Sequence, residues 1–102
     1  MTILVFFFSS TCGHSRRMDS LVDHFMRLHR GELKLAKVEL AARPDLAQRF
    51  RVSDAPTLIM LDNLLEVARL EGRNTLPAIK AMMEPHLDLE PAVMPREFAS
   101  AV

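Results

Sequence analysis

The chain opens on an apolar stretch with no polar interruption after Thr2, running Ile3-Leu4-Val5-Phe6-Phe7-Phe8. Apolar side chains on both faces of a β-prone run predict a central strand, Thr2 to Phe8, covered by helices above and below. The period then changes. Met18, Leu21, Val22, Phe25 and Leu28 recur at the spacing of one helix face, predicting a helix over Ser15 to Arg30 that stops at Gly31. A second strand is expected over Leu33 to Val38. Arg43-Pro44-Asp45 opens a short helix with Pro44 in its first turn, and Leu46 and Phe50 lie one turn apart. Val52 to Pro56 is a loop into a third strand, Thr57 to Leu61. Asp62-Asn63 carries a hairpin signal, and Leu64 to Leu70 forms the fourth strand. Past Gly72, Asn74 or Thr75 caps a last helix with Pro77 in its first turn, which Pro85 ends or kinks.

The order βαβ-α-ββα predicts an α/β fold. A right-handed crossover makes the first two strands parallel, and the later hairpin adds antiparallel strands to the same sheet. The expected architecture is a four-stranded mixed sheet flanked by helices, formed by residues 1–87. Residues 88–102 contain Pro91 and Pro95 and no periodicity. They read as a C-terminal extension that docks Met94 and Phe98 on the body.

Composition narrows the picture. The 102 residues fit one domain, and 49% apolar with 25% charged residues is ordinary for a soluble globular chain. Thirteen basic residues balance thirteen acidic ones, so no overall field recruits nucleic acid or an anionic membrane. No apolar run approaches the ~18 residues of a membrane span. The Ile3–Phe8 run has no basic residue before it and no small-residue cleavage site after it, so it reads as a strand and not as part of a signal peptide. A single cysteine excludes an internal disulfide framework and points to a reducing cytoplasm.

That cysteine carries the candidate chemistry. In Ser10-Thr11-Cys12-Gly13-His14-Ser15-Arg16-Arg17, Cys12 falls at a strand-to-helix junction, where unpaired N–H groups and the helix dipole favour an anion. The thiolate is the reactive form of the residue. A protonated His14 at the same helix start would hold it further. Ser15 either satisfies the helix backbone or makes a polar contact to the sulfur. Arg16 and Arg17 read as a solvated basic face, with attraction of a glutathione carboxylate as the alternative. His24, His29 and His86 show no metal-ligand spacing, and the seven methionines fall at core positions, so no metal site is expected.

Several landmarks in order resemble the thioredoxin-like family over Thr2 to Leu87. They are the apolar strand, Cys12-Gly13-His14-Ser15, Pro44-Asp45-Leu46-Ala47 with Phe50 and Val52, Ala55-Pro56-Thr57, and Gly72. The resemblance implies a cis-proline at Pro56 facing Cys12, with Gly13, Ala55, Pro56 and Thr57 as the substrate-binding surface. The Ala55 N–H and C=O would pair with an extended partner chain. It also implies Cys12, His14 and Ser15 as the catalytic set.

Three positions depart from the family. Ser15 stands where the second redox cysteine belongs, and a serine cannot resolve a mixed disulfide, so release requires an outside thiol such as glutathione. Phe6 matches the position of the family's buried acid, which leaves Lys37 without the partner the family gives it. Thr11 replaces the usual tryptophan.

The expected function is therefore thiol–disulfide exchange through one cysteine, with protein thiols and disulfides or glutathione as partners and no resident cofactor. A monomer or weak dimer is expected. A non-catalytic binding module with the same fold is the alternative. The third reading is glutathione-dependent iron–sulfur binding, because Cys12-Gly13-His14-Ser15 is similar to the motif of monothiol glutaredoxins. The Gly-Gly-Asp segment of that group is missing after the third strand, where the chain reads Leu61-Asp62-Asn63.

Overall fold

A computed structural model describes residues 2–29, 31 and 33–87. Strand β1 (Thr2–Phe8) leads into helix α1 (Gly13–Leu28), then β2 (Lys34–Glu39), the short helix α2 (Pro44–Arg49), the hairpin β3 (Thr57–Asp62) and β4 (Leu65–Glu71), and helix α3 (Leu76–Met83). A single 3-10 turn, Glu84–His86, follows directly and contains Pro85. The sheet order is β2-β1-β3-β4. β1 runs parallel to β2 and antiparallel to β3, and β3 is antiparallel to β4. This is the mixed four-stranded sheet expected from the hydrophobic pattern. The proposed C-terminal extension, with Met94 and Phe98, lies outside the described residues.

β1 is central because both of its faces are apolar. Leu4 and Phe6 point to one side, Val5 and Phe7 to the other, as the two-residue period of a strand requires. On the first side Leu58 and Met60 of β3 join them, and Met18, Val22 and Phe25 of α1 with Ile79 and Met83 of α3 close the layer. On the second side Ile59 and Leu61 pack with Ala47 of α2 and Val52. Phe7 and Phe50 meet edge to face there, with ring centroids 6.0 Å apart.

Helix α1 starts two residues before the predicted Ser15. Cys12 is its N-cap, with extended backbone, and the Cys12 carbonyl accepts the Arg16 N–H at 3.2 Å. The helix ends at Leu28, with His29 as the C-cap stacked on Phe25 at 4.3 Å, and Gly31 follows at φ +87°. At α3 the choice between Asn74 and Thr75 falls to Thr75, whose hydroxyl accepts the Ala78 N–H.

Lys37 has partners that the family pattern does not supply. Its ammonium meets Asp19 at 2.6 Å and Asp23 at 3.2 Å, two carboxylates one turn apart on α1, and they raise its pKa. Phe6 denies Lys37 the partner that the family gives it, and the lysine on β2 reaches the carboxylates of α1 in its place.

A second cross-element tie is Arg69 on β4. Its guanidinium donates to the Phe50 carbonyl, to the Arg51 carbonyl at 3.2 Å, and to Glu66 and Glu71. It thus holds the end of α2 and the start of the loop toward Pro56 against the hairpin. Among the described residues no helix is long and apolar enough to cross a membrane.

The hairpin turn is Asn63-Leu64, and both residues are left-handed, at φ +53° and +70°. β4 begins one residue later than predicted because Leu64 is consumed by the turn. Leucine is poorly suited there, since its Cβ crowds the backbone in that region at a cost of roughly 1–2 kcal/mol. Leu64 is also 77% exposed and recovers little by burial. Leu64→Gly is expected to stabilise the protein by about 0.5–1 kcal/mol after the extra chain entropy of glycine is counted. Urea unfolding measures this, and a loss of stability would contradict the strained-turn account.

Candidate functional site

The end of β1 and the start of β3 are paired neighbours, with Phe7 opposite Thr57. The loops that extend from them, 9–12 and 53–56, therefore emerge at one end of the sheet. The first carries Cys12 and the second carries Ala55-Pro56. The Ala55–Pro56 peptide bond is cis, and Pro56 is buried. Its carbonyl accepts the Gly72 N–H at 2.8 Å, which ties the start of β3 to the turn before α3.

Loop 9–12 is closed by a turn in which the Cys12 N–H reaches the Ser9 carbonyl at 3.1 Å. Ser15, only 2% exposed, fixes the other side of the turn: its hydroxyl oxygen accepts the Ser9 N–H at 3.0 Å. That leaves the Ser15 hydroxyl hydrogen free to point at the Cys12 sulfur. The backbone group that Ser15 satisfies is thus the Ser9 N–H of the loop and not one of the helix.

Cys12 is partly exposed and makes no formal capping bond as a neutral thiol. Its pKa is nevertheless lowered. The largest cause is the Ser15 backbone N–H facing the sulfur. Loss of hydration opposes it, and the Ser15 hydroxyl, the His14 N–H and the Arg16 charge add to the lowering. His14 thus acts on the thiolate through its backbone, while its exposed imidazole is not among the causes. Arg16, which the sequence places on a solvated face, supplies the long-range positive charge. Its visible signal was position: it is the first cation after the cysteine on a helix start.

The remaining expected residues divide. Gly13 is the first residue of α1, exposed, and a Cβ there would meet nothing closer than the Arg16 guanidinium at 3.8 Å, so it presents bare backbone beside the thiol without being sterically required. Ala55 is half-buried. Thr57 turns inward, its hydroxyl donating to the Asp54 carbonyl at 2.8 Å, so it stiffens the loop instead of facing a partner. Asp54 is not among the groups that shift Cys12. Behind Ser15 a cavity of about 210 Å³ is walled by Ser10, Asp19 and Lys37 among others. Phe6 is fully buried, and no carboxylate is buried among the described residues. Nor do three His, Cys, Asp or Glu side chains converge on a possible metal position there.

The β2-β1-β3-β4 sheet, with a cysteine opening the helix after the first strand, defines a thioredoxin-fold protein. The chain belongs to the thioredoxin family, whose profile matches residues 1–85. It is 26% identical over 85 residues to thioredoxin 1 of Nostoc sp., covering 83% of this chain and 79% of that protein. It is 26% identical over 81 residues to the thioredoxin of Alicyclobacillus acidocaldarius, covering 79% and 77%. Among solved structures, thioredoxin-2 of the malaria parasite superimposes with a TM-score of 0.79 at 26% identity, over 84% of both chains. The family carries out thiol–disulfide redox chemistry on protein thiols and disulfides.

Because the folded pKa of Cys12 lies below its ordinary value, ionisation of the thiol favours the fold. This contribution is complete above the ordinary thiol pKa and disappears as the pH falls through the lowered one. Ser15→Ala removes a hydroxyl that helps to lower the Cys12 pKa and orphans the Ser9 N–H. It is expected to move the Cys12 alkylation profile to higher pH and to cost about 1 kcal/mol in urea unfolding. An unchanged alkylation profile would mean that the hydroxyl does not act on the sulfur.

Proposed function

We propose that the protein is a monothiol thiol–disulfide exchanger working in a reducing, cytoplasmic setting. The observation that carries this reading is a partly exposed Cys12 held toward its thiolate by the first turn of α1, with a buried Ser15 where a resolving thiol would stand. The Cys12 thiolate attacks one sulfur of a partner disulfide. The new Sγ–S bond forms as the partner S–S bond breaks, and the electron pair leaves on the departing thiolate, which takes a proton from water.

Ser15 cannot complete the cycle. An external thiolate such as glutathione attacks the Cys12 sulfur and releases the second partner thiolate. A second external thiolate then attacks the sulfur of the first, and Cys12 leaves as thiolate. Two external thiols are oxidised to one disulfide, and the partner disulfide is reduced to two thiols. The missing buried acid supports the same reading: Phe6 stands where the family has it, and no carboxylate is buried among the described residues. The backbone groups of Ala55 beside Pro56 are the proposed docking edge for the partner chain.

The test is reduction of a protein disulfide with glutathione as donor, with intact mass following Cys12. The wild type is expected to accumulate a mixed disulfide that glutathione clears, and Cys12→Ser is expected to lose both adduct and activity. Ser15→Cys supplies an internal resolver and should shorten the adduct lifetime in the absence of added thiol. Capture of the same partners by the wild type and by Cys12→Ser would instead make the protein a non-catalytic binding module.

A further inference from the structure

We propose that Arg17 and Arg73 form a carboxylate-recognising pair at the Cys12 end of the fold that selects acidic disulfide partners. This deepens the exchange reading and rests on it. The starts of α1 and α3 lie side by side on one face of the sheet. Between them is a cavity of about 570 Å³ lined by Arg17, Leu21, Arg73, Asn74, Thr75 and Leu76. Leu21 and Leu76 pack on the core below, so the floor is apolar and anchored. The rim carries two exposed guanidiniums and no carboxylate. Neither arginine has an ion pair or hydrogen bond to another side chain among the described residues.

Position connects this cavity to the thiol. Arg17 lies five residues beyond Cys12 along the chain, about 7–8 Å of helix rise. Arg73 directly follows Gly72, whose N–H is bonded to the Pro56 carbonyl. The other flank of the same Pro56–Gly72 link has the opposite sign, since the cavity there is lined by Asp54 and Glu71 with Thr57 and Gly72. Glu71 is already bound by Arg69, whereas Arg17 and Arg73 are open to a ligand. In a chain whose formal charge is zero, this end of the molecule is therefore divided into a cationic and an anionic side. Guanidiniums take carboxylates in a two-pronged geometry that a point charge does not impose. A disulfide partner with a carboxylate a few bonds from its sulfur would place it on Arg17 and Arg73 while its sulfur meets Cys12. Glutathione and an acidic protein segment both have this chemistry.

The test compares first-order formation of the Cys12 adduct, by intact mass, with three small symmetrical disulfides in excess: anionic dithiodipropionate, neutral hydroxyethyl disulfide and cationic cystamine. Wild type, Arg17→Gln, Arg73→Gln, the double variant and Arg16→Gln are compared by the ratio of anionic to neutral rates, which divides out changes in the thiol itself. Each of Arg17→Gln and Arg73→Gln is expected to lower the ratio roughly two- to fivefold, the effect of one exposed charge pair, and added salt should lower it further. Arg16→Gln should change all three rates together. Glutathione disulfide, and a peptide disulfide carrying Asp and Glu against its Asn and Gln counterpart, identify the source by which rate depends on the two arginines. A ratio unchanged in the double variant overturns the proposal and leaves exchange intact. A wild-type thiol that none of the disulfides modifies overturns the exchange reading itself.

Discussion

The structure depends on β1 being buried on both faces. A strand hydrogen-bonded to neighbours on each side and covered by helices above and below has no freedom to slip, because a shift by one residue would exchange Leu4 and Phe6 for Val5 and Phe7 in two differently shaped layers. Its pairing with β3 fixes Phe7 against Thr57, and so fixes where loops 9–12 and 53–56 leave the sheet. The site is assembled from those two exits. Cys12 is placed by the end of one strand and Pro56 by the beginning of its neighbour, so the apolar run at the N-terminus is as much a part of the site as the cysteine.

The first turn of α1 then converts position into chemistry with few parts. Backbone N–H groups need no side-chain entropy to aim at the sulfur, and they remain in place when the thiol ionises. The Ser15 hydroxyl links this turn to the loop before it by accepting from Ser9. The same side chain that leaves the protein without a resolving thiol therefore organises the thiol it has. The imidazole of His14 looks like the stronger device in the sequence, yet it is exposed, and the Ser15 backbone N–H contributes most, with the His14 N–H a smaller part.

Where the fold was written in local chemistry, it could be read from the chain. The strands, the proline-opened α2, a cap at Asn74 or Thr75 and the Cys12 junction all follow from neighbours within a few residues. The early start of α1 was hidden because Cys12-Gly13-His14 offers no capping oxygen, only an extended N-cap followed by helical backbone. The partners of Lys37 and the carbonyls held by Arg69 depend on which elements become adjacent, and no spacing along the chain encodes that. The one-residue delay of β4 arose because Leu64 occupies a turn position that usually belongs to glycine. The register shift between Met60 and Leu61, which leaves Val67 without a counterpart on β3, belongs to the same distorted hairpin.

Phe6 has a further consequence. A carboxyl group under a thiol is a proton reservoir whose charge state changes with that of the sulfur, so the two titrate as a coupled pair. An aromatic ring at that place stores no proton and offers no second charge state. The groups that lower the Cys12 pKa are the N–H dipoles of the first turn, the Ser15 hydroxyl and the permanent charge of Arg16, and none of them is a carboxylate. The fold itself therefore supplies what holds the thiolate, with no buried proton store coupled to it.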